Sequence, residues 1–89
     1  MRIKEGFVLR EVAGQVMVIA TGEASKDFHG MIRLNSTGKD IWTGLQEKMS
    51  KEQIVERLCE KYEIDASSAE HDVEAFLNKM TEMGFLLNE

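Results

Sequence analysis

The sequence contains no proline and a single cysteine, and it lacks any long apolar run. One cysteine cannot form a disulfide within the chain, so a reducing compartment, the cytoplasm, is predicted. The longest apolar run covers residues 16–20, whereas a helix needs about 20 apolar residues to cross a bilayer. No membrane partner is therefore expected. Without proline, tight turns must depend on residues such as glycine, asparagine and aspartate.

Basic residues are outnumbered by acidic ones. The 89 residues include 11 Lys and Arg against 16 Asp and Glu, which gives a formal net charge of −5 at pH 7. Binding to a phosphate backbone requires concentrated Lys and Arg, so no nucleic-acid partner is expected. The length corresponds to one domain, residues 1–89, with a single small core.

The first half of the chain has the pattern of β-strands. Phe7–Val12 and Gln15–Ala20 are rich in β-branched and aliphatic residues, and Gly14 between them supplies the positive φ that a hairpin turn needs. The polar residues 21–30 predict a long loop. Met31–Leu34 predicts a third strand, which we expect at the sheet edge because the chain leaves the sheet directly after it.

The second half predicts three helices, because apolar residues recur there at helical spacing. Asn35 or Ser36 caps the first helix, and a capping box that starts at Ser50 opens the second. Asp65 or Ser67 caps the third and longest helix. The predicted fold class is α+β, with a three-stranded antiparallel sheet followed by three helices, similar to a winged helix-turn-helix.

No group of residues predicts catalysis. Cys59 lies on the apolar face of the second helix, where a thiol is expected to be buried and inert. Neither His29 nor His71 has a cysteine or a second histidine at metal-ligand spacing. The Thr-Gly-Lys sequence at 37–39 lacks the upstream glycines of a phosphate-binding loop. We therefore predict a binding protein without a cofactor or metal, and not an enzyme.

The third strand and the third helix together predict a peptide site. An edge strand presents unpaired N–H and C=O groups, to which an extended peptide can add as a further strand. If the third helix packs beside this edge, Val73, Phe76 and Met80 wall a groove. A plain core position is the simpler interpretation of the same three residues, and both can hold where a groove opens onto the core.

Both faces of the predicted hairpin are apolar. Val16 and Val18 alternate with Met17 and Ile19, although a sheet covered by helices on one side normally has polar residues on the other. Self-association as a homodimer, or docking on a larger enzyme, is therefore an expectation for the second face.

Several segments of the sequence resemble the PqqD family. They are FVLREVAG at 7–14, GMIRLNSTG at 30–38, DVEAFL at 72–77 and GFL at 84–86. The most specific is Leu-Asn-x-Thr-Gly-x-x-Ile-Trp at 34–42, and the resemblance covers nearly the whole chain. It implies a winged-helix-like fold that recognises ribosomally made, post-translationally modified peptides.

The resemblance also implies where a peptide binds. In the family, the leader of a precursor peptide pairs with the third strand and lies beside the third helix, and the Leu-Asn-x-Thr-Gly segment is expected to be structural. Family members serve modifying enzymes, often radical S-adenosylmethionine (radical SAM) enzymes, and some serve lasso-peptide proteases. Transferred by position, the peptide-binding residues are Met31, Ile32, Arg33, Leu34, Asp72, Val73, Phe76 and Met80.

Two alternatives remain open from the sequence. A winged-helix regulator would bind DNA through a basic third helix, but here that segment carries Glu70, Asp72, Glu74 and Glu82 against Lys79 alone. An assembly subunit of an enzyme complex would bind a folded partner and would not respond to any leader peptide.

Overall fold

The computed structural model describes residues 2–22 and 31–87. Of the loop predicted over 21–30, residues 23–30, including His29, lie outside the described residues. The elements are, in chain order, β1 (Arg2–Ile3), β2 (Phe7–Val12), β3 (Gln15–Ala20), β4 (Met31–Leu34), α1 (Ser36–Gln46), α2 (Lys51–Tyr62), α3 (Ala66–Glu82) and β5 (Leu86–Leu87). Among the helices of the described segments, none combines the length and apolar character needed to cross a membrane.

The main sheet has three antiparallel strands in the order β2-β3-β4, and the predicted strand limits are confirmed. Phe7 pairs with Ala20 and Val12 with Gln15, which leaves a two-residue turn. The two turn residues, Ala13 and Gly14, have φ values of 51° and 79°. Positive φ at both central positions gives the backbone twist that suits a tight hairpin.

Each helix begins at a residue that the sequence singled out. The side chain of Asn35 accepts a hydrogen bond from the Gly38 backbone N–H, and Asp65 does the same for a backbone N–H of α3. Ser50 and Gln53 form the predicted reciprocal capping box at the start of α2. Short polar side chains thus satisfy backbone donors that the first turn leaves unpaired.

A second, two-stranded sheet was not predicted. β1 pairs antiparallel with β5, with Arg2 opposite Leu87 and Ile3 opposite Leu86. The Lys4 backbone N–H continues this ladder with a hydrogen bond of 2.8 Å to the Phe85 carbonyl. The apolar C-terminal segment folds back after α3 and pairs with the first described part of the chain.

The core lies between the inner face of the main sheet and the three helices. Its largest fully buried side chains include Trp42 and Phe85. The Phe85 ring packs edge-to-face against Phe7, with 4.5 Å between ring centroids, and against Trp42, with 6.5 Å. Such geometry places the positive edge of one ring against the negative face of another. Phe85, directly before β5, and Leu86 within β5 therefore belong to the same core as the sheet and helices.

Candidate functional site

β4 forms an edge of the main sheet. Within the described residues it pairs only with β3, so every second residue directs its N–H and C=O away from the sheet. Ile32 pairs with the fully buried Val18, and Leu34 lies on the same, inner face. Met31 and Arg33 point to the opposite face and are exposed. The edge therefore has an apolar inner side and a mixed outer side.

A groove separates this edge from α3. Its volume is about 490 Å³, large enough for several side chains of an extended peptide. Its two walls come from β4 and α3, and its floor comes from the start of α1. The lining residues are Ile32, Arg33, Leu34, Asn35, Gly38, Phe76, Lys79 and Met80.

The floor of the groove depends on a close approach at Gly38. A Cβ at this position would lie 3.3 Å from Cε2 of Phe76 and 3.1 Å from Oδ1 of Asn35. Asn35 Oδ1 also accepts the Gly38 backbone N–H at 2.8 Å. The absence of a side chain at Gly38 therefore lets the Phe76 ring approach the first turn of α1 while the helix cap stays in place.

Of the eight residues predicted to bind peptide, six lie in the groove or on the exposed edge of β4. Ile32, Arg33, Leu34, Phe76 and Met80 line the groove, and Met31 continues the exposed edge of β4.

Asp72 and Val73 lie one turn earlier on α3. Asp72 is exposed and is not among the lining residues, whereas Val73 is fully buried in the core. The peptide-binding roles of these two residues stay predictions. Sequence reasoning missed Lys79, which a spacing of three residues from Phe76 places on the same helix face.

Two cations flank the groove, although the chain as a whole is acidic. Lys79 lines it from α3, Arg33 borders it from β4 with its side chain on the outer face, and none of its described lining residues is a carboxylate. Within residues 2–22 and 31–87, neither cation takes part in an ion pair. Two unpaired cations beside apolar side chains favour a ligand that is both apolar and acidic.

A second concavity, of about 610 Å³, continues from the groove past Leu34. It contains a polar network in which Asp40 accepts hydrogen bonds from Tyr62 Oη and, at 3.0 Å, from Lys61 Nζ. The bond to Asp40 is the main cause of a raised pKa at Tyr62, because it stabilises the protonated phenol. The network joins α1 to the end of α2 and supports the helix start beneath the groove.

No group of three or more His, Cys, Asp or Glu side chains is arranged to hold a metal ion within the described parts of the chain. Cys59 is half-buried on α2 and His71 is exposed on α3. The arrangement beside β4 supports binding of an extended chain by hydrogen bonds and apolar contact.

Comparison with known proteins identifies one matching family and two solved structures of similar fold. A family model described as Coenzyme PQQ synthesis protein D (PqqD) matches residues 8–86. No curated protein sequence matches significantly. The structure of TbiB1 in complex with the TbiA(beta) leader peptide has a TM-score of 0.82 at 24% identity, covering 100% of this chain and 98% of that chain. Lasso peptide synthetase B1 complexed with the leader peptide has a TM-score of 0.80 at 20% identity, covering 97% and 95%. These two likenesses show a shared fold.

Proposed function

The chain belongs to the PqqD family, and we propose that it is a peptide chaperone for the leader of a ribosomally made precursor peptide. It binds the leader as an added strand and presents the attached core peptide to a modifying enzyme, such as a radical SAM enzyme. Two proteins of the same fold were solved with leader peptides bound, which supports this assignment.

The single observation that carries the proposal is the groove beside the free edge of β4. Main-chain hydrogen bonds to an edge strand give affinity, and pockets for alternate side chains give selectivity. Ile32 and Leu34 supply apolar contact from the strand, and Phe76 and Met80 supply it from α3. A leader strand bound here would pair with the outward N–H and C=O groups of β4 and cover the apolar walls at the same time.

We assign the eight predicted residues unequal roles. Met31 and Arg33 flank the leader on the outer face, and the four apolar groove residues contact it from the inner face. Val73 acts through packing, because its buried side chain holds the turn of α3 that precedes Phe76. Asp72 lies at the exposed end of the site and contributes little to affinity.

The protein itself supplies no chemistry in this proposal, and it works in the cytoplasm. Holding the leader raises the effective concentration of the core peptide at a docked enzyme, which increases modification without a new catalytic group.

The alternative of a DNA-binding regulator is disfavoured by charge. The acidic residues Glu70, Asp72, Glu74 and Glu82 are all exposed along α3, where a recognition helix would need cations. The alternative of an assembly subunit predicts that leader peptides have no effect on the protein.

An amide NMR titration with the leader of a short precursor encoded beside this chain's gene tests the proposal. Expected shifts concentrate on Met31–Leu34 and on the flank of α3 that contains Phe76. A scrambled leader of the same composition is the control. Unchanged spectra at high leader concentration, with and without the modifying enzyme, would contradict the proposal.

N-methylation of single amides in the leader backbone tests strand addition separately. In an added strand, every second amide donates to β4, so N-methylation at those positions should abolish binding. N-methylation at the intervening positions should be tolerated. Equal sensitivity at all positions would indicate a different binding mode.

A further inference from the structure

The outer face of the main sheet is positively charged, in contrast to the chain as a whole. We define this face as the residues whose side chains point away from the core on β2, β3 and β4. Strand register and alternation assign to it Val8, Arg10, Val12, Gln15, Met17, Ile19, Met31 and Arg33. It includes two cations and no acidic residue, although the whole chain has a net charge of −5.

The two cations lie in one row across the sheet. Met17 is paired with Arg10 on β2 and with Arg33 on β4. The cation on the free edge, Arg33, has no ion-pair partner within residues 2–22 and 31–87. A strand added to β4 would extend this row by one position and place an outward side chain directly beside Arg33.

An added strand must alternate in the same way as β4. Side chains that face inward meet the apolar residues Ile32, Leu34, Phe76 and Met80. Side chains that face outward remain in water beside Arg33. Opposite charges directly across a strand pair are favourable, and like charges are unfavourable.

We propose that the preferred ligand is a strand in which apolar residues alternate with an acidic residue that pairs with Arg33. This inference rests on the proposed function, and it names the class of leader that the site selects. The inward apolar positions supply most of the affinity. The outward acid sets selectivity and register, because a shift by one residue would turn the acid away from Arg33 and toward the apolar side chains of the groove.

Arg10 provides a matched control on the same face. Neighbouring strands lie about 4.8 Å apart, so Arg10, on β2, is about 14 Å from a strand added to β4, whereas Arg33 is adjacent to it. At physiological salt the Debye length is about 8 Å, and the more distant charge is largely screened. Both residues are exposed arginines in strands, so their substitution should affect folding similarly.

Selection from a displayed library of random nine-residue peptides tests the proposal and does not require the sequence of the natural leader. Three proteins are used as bait: the wild type, Arg33→Glu and Arg10→Glu. The wild type and Arg10→Glu should enrich peptides with apolar residues at every second position and an acid between two of them. Arg33→Glu should enrich the same apolar pattern with Lys or Arg in place of the acid.

The outcomes separate this proposal from the proposed function. Enrichment of alternating apolar peptides with no preference at the outward positions would overturn the acidic requirement and leave leader binding standing. An identical shift in Arg33→Glu and Arg10→Glu would also overturn it, because the effect would then be one of net charge. If no extended peptide is enriched by the folded wild type, both proposals fail.

Direct affinity measurement supplies a second readout. Replacing the outward acid of a selected peptide with asparagine should weaken binding to the wild type about two- to fivefold, the usual range for one exposed cross-strand pair. The same replacement should not weaken binding to Arg33→Gln. A loss of equal size for both proteins would contradict the assigned pairing.

Discussion

Gly38 and Gly44 lie in the same helix, α1, and the same substitution at the two positions distinguishes the groove from the core. A Cβ at Gly44 would lie 2.9 Å from Cγ1 and 3.3 Å from Cδ1 of Ile54, which is 1% exposed. A Cβ at Gly38 would meet Cε2 of Phe76 at 3.3 Å. The Phe76 ring is only half-buried and borders the open groove. Ile54 is enclosed by the core and can give way only at a cost, whereas the Phe76 ring can shift into the open groove.

These contacts set the expected magnitudes. Alanine is favoured over glycine within a helix by about 1 kcal/mol, and overpacking in a core costs about 1–3 kcal/mol. We expect Gly44→Ala to lower the free energy of unfolding by up to about 2 kcal/mol, because the cost of pressing a methyl group on a buried isoleucine outweighs the helix gain. For Gly38→Ala the helix gain offsets a weakened Asn35 cap, so stability should change by less than about 1 kcal/mol.

Leader affinity should fall more for Gly38→Ala than for Gly44→Ala, the reverse of the order expected for stability. The methyl group at Gly38 displaces the Phe76 ring into the groove, so leader affinity should fall about three- to tenfold, equivalent to about 0.7–1.4 kcal/mol. Folded Gly44→Ala should bind as the wild type does. Urea unfolding followed by Trp42 emission, the only tryptophan in the chain, measures stability, and anisotropy of a labelled leader measures affinity. Unchanged binding by Gly38→Ala, or greater destabilisation there than at Gly44, would refute the reasoning.

Four further outcomes are expected. Phe76→Ala should weaken leader binding by at least fivefold, about 1 kcal/mol or more, whereas Asp72→Ala on the same helix should leave it unchanged in the same anisotropy assay. Trp42→Phe should lower the free energy of unfolding by less than about 2 kcal/mol, against about 3–5 kcal/mol for Trp42→Ala, because the buried indole Nε1 has no hydrogen-bond partner in the described structure. Thermal unfolding followed by circular dichroism measures this loss. Ser50→Ala should remove the capping box of α2 and cost about 1 kcal/mol by the same method. The hydrogen bond that Asp65 accepts at the start of α3 lowers the pKa of its carboxyl group. The stability that this bond supplies is therefore complete at neutral pH and is lost as the pH falls through the folded-state pKa. Between pH 6 and 3, the urea midpoint of Asp65→Asn should fall less than that of the wild type.

The main elements of the fold were predictable because their signals are local. Two runs of β-branched and aliphatic residues joined by a two-residue turn define the β2–β3 hairpin, and Ser50 with Gln53 defines a helix start without reference to the rest of the chain. The β1–β5 pair has no such signal. Each strand has two residues, too few to show alternation, and the two lie at opposite ends of the sequence.

The candidate site was predictable only in part, because it depends on how α3 is rotated against the sheet. Apolar spacing marks Val73, Phe76 and Met80 as one face, but it does not show where core ends and groove begins. Packing buries Val73 completely and leaves Phe76 half-exposed. Lys79 was missed because an exposed lysine in an acidic helix has the pattern of a solvated residue, and only the position of β4 assigns it to the groove wall.

The β1–β5 ladder makes the first and last described residues neighbours. Arg2 stands opposite Leu87, and paired residues in an antiparallel ladder have Cα atoms about 5 Å apart. Dyes attached at the two ends would therefore show high energy transfer in the folded state and would lose it when this short ladder opens. A linker that joins the ends could close the chain into a ring. New termini cut at the exposed Ala13–Gly14 turn would then give a circular permutant in which β4, α3 and the groove between them are preserved.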